Sequence, residues 1–165
     1  MTTTSMTAQR PAGAIARALT LLYGAGTYLF FFGTFLYLIG FVGNWLVPKG
    51  IDDGTPAASA GAAVAANVLL LGLFAVQHTI MARPAFKEVW TRWVPWHVER
   101  STFVLLSTAI LAILAWQWRP LPDPVWRIEG PLAAALLVGL SLAGWGIVLV
   151  STFLIDHFEL FGLKQ

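Results

Sequence analysis

The sequence predicts an all-α integral membrane protein: four transmembrane helices plus a short amphipathic interfacial helix. Three observations carry that expectation: long uncharged runs, the distribution of Lys and Arg, and the placement of Trp. No Asp, Glu, Lys or Arg occurs from Ala18 to Pro48, Gly54 to Ala82, Ser101 to Trp118 or Gly130 to Ile155. A helix of roughly 20 apolar residues crosses a bilayer core about 30 Å thick. Lipid offers the backbone no hydrogen-bond partners, so each run should be helical. Composition agrees, with 58% apolar and 11% charged residues where soluble domains carry about 45–50% and 25%.

The segment 1–17 is a polar, Thr-rich tail with Arg10 and Arg17, expected in the cytoplasm. It is not a secretory leader, because the apolar run after it exceeds the usual h-region of about 7–15 residues. Residues 18–165 then form one four-helix transmembrane domain. Its first span, about 20–47, is longer than a bilayer needs, so it tilts or begins late. The second, about 58–82, opens on the small-residue tract Ala57–Ala63. The third, about 101–118, is barely long enough. The fourth, about 131–155, contains Gly139-x-x-x-Ala143, Gly144 and Gly146. Small residues let helix backbones approach closely, so both tracts read as packing seams.

Between the second and third spans, Pro84 suits a first helical turn. Phe86, Val89, Trp90 and Trp93 recur at helical spacing until Pro95. This short amphipathic helix lies either on the cytoplasmic leaflet or against the bundle.

Orientation follows from the basic residues. Arg10, Arg17, Arg83, Lys87, Arg92, Arg100 and Lys164 fall on one side; Lys49, Arg119 and Arg127 fall on the other. The positive-inside rule puts both termini in the cytoplasm of a multi-pass protein. Trp45, Trp116, Trp118 and Trp126 mark the outer interface and Trp90, Trp93 and Trp96 the inner loop, as amphipathic indoles do.

Several function classes are excluded. A net charge of +2 is too small to suggest nucleic-acid binding, and topology explains its basic residues. Without cysteine there is no disulfide, thiolate ligand or cysteine nucleophile. No Rossmann, P-loop or G-x-S-x-G pattern occurs. His78, Asp156, His157 and Glu159 lack H-x-x-x-H spacing, so neither a metal nor a bis-histidine haem is expected.

Polar residues inside the spans form stripes. Tyr23, Thr27, Thr34 and Tyr37 share one face; Asn67 and His78 share another; Ser141, Trp145, Thr152 and Glu159 align if the last helix continues past Ile155. These faces should point inward, and for Ser, Thr and Tyr interhelical bonding is the commoner reason. Three ionisable clusters close or open spans: Gln77-His78, Glu99-Arg100 and Asp156-His157-x-Glu159. Each member alone reads equally well as a cap or snorkelling residue. Together, at one membrane face, they suggest a functional site.

The chain is also familiar at these residues. The segments Gly40–Asn44, Phe74–Pro84 (FAVQHTIMARP), Glu99–Phe103, Gln117–Pro120 and Asp156–Gln165 (DHFELFGLKQ) resemble the bacterial membrane methanethiol S-methyltransferase family. That family is related to NnrU and isoprenylcysteine carboxyl methyltransferase-like proteins. The resemblance covers the chain from about Leu19. It implies S-adenosylmethionine-dependent conversion of methanethiol to dimethyl sulfide. It also implies an N-terminal portion, since family members continue into helices with an Arg-His-Pro-type cofactor segment. The chain alone is therefore expected to be inactive, and no residue of that later segment is transferred.

Methyl transfer from a sulfonium needs alignment, exclusion of water and a route for the thiol proton. By position and residue type, His157 and His78 are candidates to take that proton, with Glu159 orienting either. Arg100 is the candidate to hold the cofactor carboxylate. The alternative is a non-catalytic NnrU-like subunit or scaffold that completes a site with a partner chain. Expected partners are lipid, a small thiol and either a second copy or the C-terminal segment.

Overall fold

A computed structural model describes residues 13–55, 59–121, 123 and 126–160, with the backbone alone described at residue 160. Most of the polar tail, the start of the Ala57–Ala63 tract and the Phe161–Gln165 segment lie outside the described residues. Four long helices are apolar enough to cross a membrane: α1 (Ala14–Gly43), α2 (Ala60–Met81), α4 (Trp96–Gln117) and α5 (Pro131–Ile155). Two short ones, α3 (Pro84–Trp90) and α6 (His157–Leu160), are the other helices among the described residues. Among the described residues there is no strand.

α1 stops at Gly43, four residues before the expected end of the first span. Asn44 adopts a left-handed conformation (φ 60°, ψ 39°). The Trp45 N–H reaches back to the Gly40 carbonyl and the Asn44 N–H to the Phe41 carbonyl. This paired termination satisfies the last carbonyls of a helix, and Asn tolerates the left-handed region it needs. Apolarity continues through Val47, so hydropathy overran a boundary that backbone geometry sets. Gly40 is required there: an added Cβ would lie 2.7 Å from the Trp45 carbonyl oxygen.

α2 begins on Ser59, whose hydroxyl accepts from the Ala62 N–H at 3.2 Å, an N-cap. α4 begins at Trp96, five residues before the expected third span. Pro95 fixes the extended backbone before it. Glu99 and Arg100 therefore lie inside the helix rather than ahead of it.

α1 packs mainly on α4, and α2 on α4 from the other side. Tyr23 meets Thr102 and Phe41 meets Trp118, so α1 and α4 run parallel. Asn67 meets Arg119 and Gln77 meets Ser107, so α2 runs against α4. Phe35 meets Trp145 and Tyr28 meets His157, so α5 and its extension run against α1. This up-down order brings the start of α1, the end of α2, α3, the start of α4 and α6 to one end of the bundle.

The buried core at that end is Met81, Phe103 and Val104, with Tyr28, Phe31, Phe86 and Trp90 packed on it. α3 therefore lays two of its apolar residues on the bundle, while Val89 and Trp93 stay exposed. Of the inward stripes, Thr27, Thr34 and Asn67 are buried. His78 is exposed instead, at the rim of the last turn of α2. α5 buries no residue. A Cβ added at Gly139, Gly144 or Gly146 would meet nothing within 4 Å, so the expected α5 seam packs against nothing described.

The opposite end is tied by polar bonds to backbone. Asn67 donates to the Arg119 carbonyl at 2.8 Å and accepts from the Arg119 N–H at 3.0 Å. The Lys49 ammonium donates to the carbonyls of Trp116 and Trp118, the open end of α4. Burial, and after it the positive Arg119, lower the Lys49 pKa below its usual value.

Asn67→Ala should strand both backbone groups of Arg119 and lower stability by about 1–2 kcal/mol. Unfolding of the solubilised protein in graded denaturant checks this; an unshifted midpoint would mean that water already serves those groups.

Candidate functional site

The site is built mostly from ends of helices, with Tyr28 midway along α1. α4 contributes Arg100 and Phe103, α2 contributes His78, α1 contributes Tyr28, and α5 with α6 contributes Thr152 and His157. The ring centroids of His78 and Phe103 are 5.1 Å apart. The Arg100 guanidinium carbon lies 5.8 Å from the same Phe103 centroid. His78 and Arg100, read from separate clusters, thus share one aromatic platform.

Glu99 turns away from them. It is buried and lies 3.6 Å from the Lys87 ammonium, pinning α3 to α4. Gln77 also serves packing: its amide bonds the Ser107 hydroxyl at 3.3 Å.

His157 is the most enclosed ionisable group of the site, with 2% of its surface exposed. The chain breaks at Asp156, whose φ of 138° is a conformation that L residues rarely adopt. That break folds the imidazole back onto α5. It stacks on Phe153, centroids 4.0 Å apart and planes 2° from parallel. Its Nδ1 lies 2.7 Å from the Thr152 hydroxyl, and its Nε2 lies 2.9 Å from the Tyr28 hydroxyl. Burial lowers the His157 pKa below its ordinary value, because a charged imidazolium loses hydration there.

Because the helix breaks at Asp156, the stripe expected to run from Ser141 to Glu159 does not reach Glu159. Glu159 is exposed, and its backbone N–H bonds the Asp156 carboxylate at 3.2 Å. The groups on the two His157 nitrogens are Thr152 and Tyr28, not Glu159. Tyr28 was missed in the sequence because it lies off the Tyr23–Tyr37 stripe. The signal available was a tyrosine inside a span, whose hydroxyl needs a partner when buried.

Among the described residues, no group of three or more His, Asp or Glu is arranged to hold a metal ion. A cavity of about 390 Å³ lies at the other end of the bundle, lined by Thr34, Tyr37, Pro48, Lys49, Ala112 and Trp116. It is separate from the ionisable clusters.

The chain is 53% identical over 150 residues to Methanethiol S-methyltransferase 2 of Bradyrhizobium diazoefficiens, covering 91% of this chain and 57% of that protein. It is 52% identical over 149 residues to Methanethiol S-methyltransferase of Mycobacterium tuberculosis, covering 90% and 61%. Nurim of Mus musculus is more distant, 30% identical over 173 residues, covering 92% and 64%. The chain thus spans somewhat over half the length of these curated relatives. No family model and no solved structure matches it.

The buried histidine has a consequence for stability. The unfolded chain takes up a proton at His157 near pH 6.5, whereas the folded site holds it neutral to lower pH. Stability should therefore be level above about pH 6.5 and fall as pH drops through that value. His157→Gln should flatten this fall. Thermal unfolding of both proteins in detergent from pH 8 to 5 tests it; parallel curves would contradict the assignment.

Proposed function

We propose that this chain, a relative of the methanethiol S-methyltransferases, carries the proton-handling part of a membrane site that methylates a small thiol. One observation carries the reading: identity of 53% to such a protein across 91% of the chain. The geometry supports it through His157, buried between the hydroxyls of Tyr28 and Thr152.

The donor proposed is S-adenosylmethionine, and the residues present fit one end of it. Arg100 offers a planar guanidinium for a carboxylate, beside the Phe103 ring. Trp90 adds a buried indole N–H with no partner, packed on the same core. When bound, the sulfonium supplies an activated methyl group and a neutral sulfide leaving group.

Everything else falls to the chain's own side chains. His157 or His78 receives the thiol proton, directly or through a neighbour, as the sulfur becomes a nucleophile. Phe103 and Tyr28, packed in one apolar cluster, give the site an apolar wall. Further length of the polypeptide, or a second copy, completes the donor pocket. The protein sits in a bacterial inner membrane with both termini and this site facing the cytoplasm, where the donor is made.

In a full-length relative, Ala at the positions of His157 or His78 should lower turnover of methanethiol to dimethyl sulfide, about 10²-fold or more for the true proton acceptor. Headspace chromatography of membranes supplied with both substrates measures this. Unchanged turnover in both variants would remove the histidines from the chemistry. No dimethyl sulfide from the unaltered protein would favour a non-catalytic subunit. The orientation has its own check: an enzyme reporter fused after Gln165 should work only in the cytoplasm, and periplasmic activity would overturn it.

A further inference from the structure

Two cations stand together at the α4 C-terminal end with no carboxylate to answer them. Lys49 lies half-buried in the loop after α1. Of the three donors on its ammonium, two go to the carbonyls of Trp116 and Trp118, which leaves one. The Trp118 carbonyl belongs to the peptide bond that leads into Arg119, so the Arg119 backbone sits beside that ammonium. Burial, and then the charge of Arg119, hold the Lys49 pKa down. Asn67 occupies the N–H and carbonyl of Arg119. The Arg119 side chain is exposed and makes no hydrogen bond or ion pair among the described residues. Nor does any carboxylate among them lie within ion-pair distance of Lys49. Asp53, in the same loop, turns its carboxylate to the Gly50 N–H at 2.9 Å, and Asp52 is exposed.

The cavity of about 390 Å³ opens beside these cations, with mostly apolar walls from Thr34 and Tyr37 on α1 and Ala112 and Trp116 on α4. Its volume is that of a ligand site, in the range of about 300–1,000 Å³. The exposed indoles of Trp45, Trp116 and Trp126 gather at this end, and indoles settle at headgroup depth. Lys49 and Arg119 therefore lie among headgroups. Thr34 sits about two and a half turns before the end of α1, so the cavity runs inward to the depth of acyl chains.

We propose that this end of the bundle holds one anionic phospholipid, with its phosphate between the remaining Lys49 donor and the Arg119 guanidinium, and the start of an acyl chain in the cavity between α1 and α4. The site is independent of the methyl-transfer reading. A guanidinium pairs with phosphate through two parallel bonds, and an anion relieves the repulsion between two neighbouring cations. A zwitterionic lipid would bring its own ammonium to that pair, so charge selects the anionic one. A soluble anion would answer the charges and leave the cavity unfilled.

Native mass spectrometry tests this on protein extracted from vesicles of equimolar phosphatidylglycerol and phosphatidylcholine with matched acyl chains. One phosphatidylglycerol should stay bound, enriched about tenfold or more over phosphatidylcholine. Arg119→Gln should cut that enrichment about fivefold; its side chain bonds nothing in the protein, so the fold should stand. Ala112→Phe should lower retention by filling the cavity with both charges in place. Arg127→Gln, an exposed cation on the same side, should change nothing, and millimolar glycerol 3-phosphate should not displace the lipid. Retention of the two lipids in equal measure would overturn the proposal. So would full enrichment in Arg119→Gln or Ala112→Phe, an equal loss in Arg127→Gln, or displacement by the soluble phosphate.

Discussion

A polar side chain inside a membrane must find a partner within the protein, and that constraint organises this molecule. Lipid will not bond Asn67, so Asn67 grips the backbone of Arg119. Lys49, next to the bilayer, folds its ammonium onto the carbonyl end of α4. Tyr23 reaches Thr102, and Tyr28 reaches His157. Each bond joins segments distant in sequence, so together they set the register of α1, α2, α4 and α5. Apolar packing alone is a weak guide to register here, because lipid tails are as apolar as leucine.

The same constraint divides the bundle by task. At the α4 C-terminal end, side chains bond backbone, which fixes geometry and leaves little titratable chemistry. At the other end, side chains bond side chains, as Tyr23 does Thr102 and as His157 does Tyr28 and Thr152. The His157 arrangement depends on a backbone fault at Asp156. A continuous helix would have carried the imidazole past Thr152. A rarely adopted conformation at that point is consistent with a site whose geometry was selected against local preference.

Much of the architecture was legible because membrane spans are written in long uncharged runs. All four appear, as does the short helix opened by Pro84. Boundaries were less legible where backbone geometry overrules hydropathy. Asn44 ends α1 inside an apolar stretch, and Pro95 starts α4 within a charged one. The ionisable clusters were readable as span-end residues, and the topology gathers them at one end. Their pairings were not readable. Side-chain partners depend on helix rotation, so nothing in the sequence said that Glu99 would leave for Lys87 or that His78 and Arg100 would share Phe103. Tyr28 could be read as a tyrosine inside a span, but its pairing with His157 could not, for the same reason. The α5 glycines mislead in the other direction, since a small-residue pattern signals that close approach is possible without naming what approaches.

α5 touches the rest of the bundle along a narrow line, chiefly through Trp145 on Phe35 and His157 on Tyr28. Its length is 25 residues, or about 37 Å of helix, more than a bilayer core of about 30 Å. A helix longer than its membrane tilts to hide the excess, and the tilt changes with membrane thickness. Rotation of α5 about its contact with Phe35 swings both of its ends, and one of them carries Thr152 and leads into the imidazole. The separation between the Tyr28 oxygen and Nε2 is therefore tied to lipid chain length. Membrane composition thereby reaches the Tyr28–His157 contact itself.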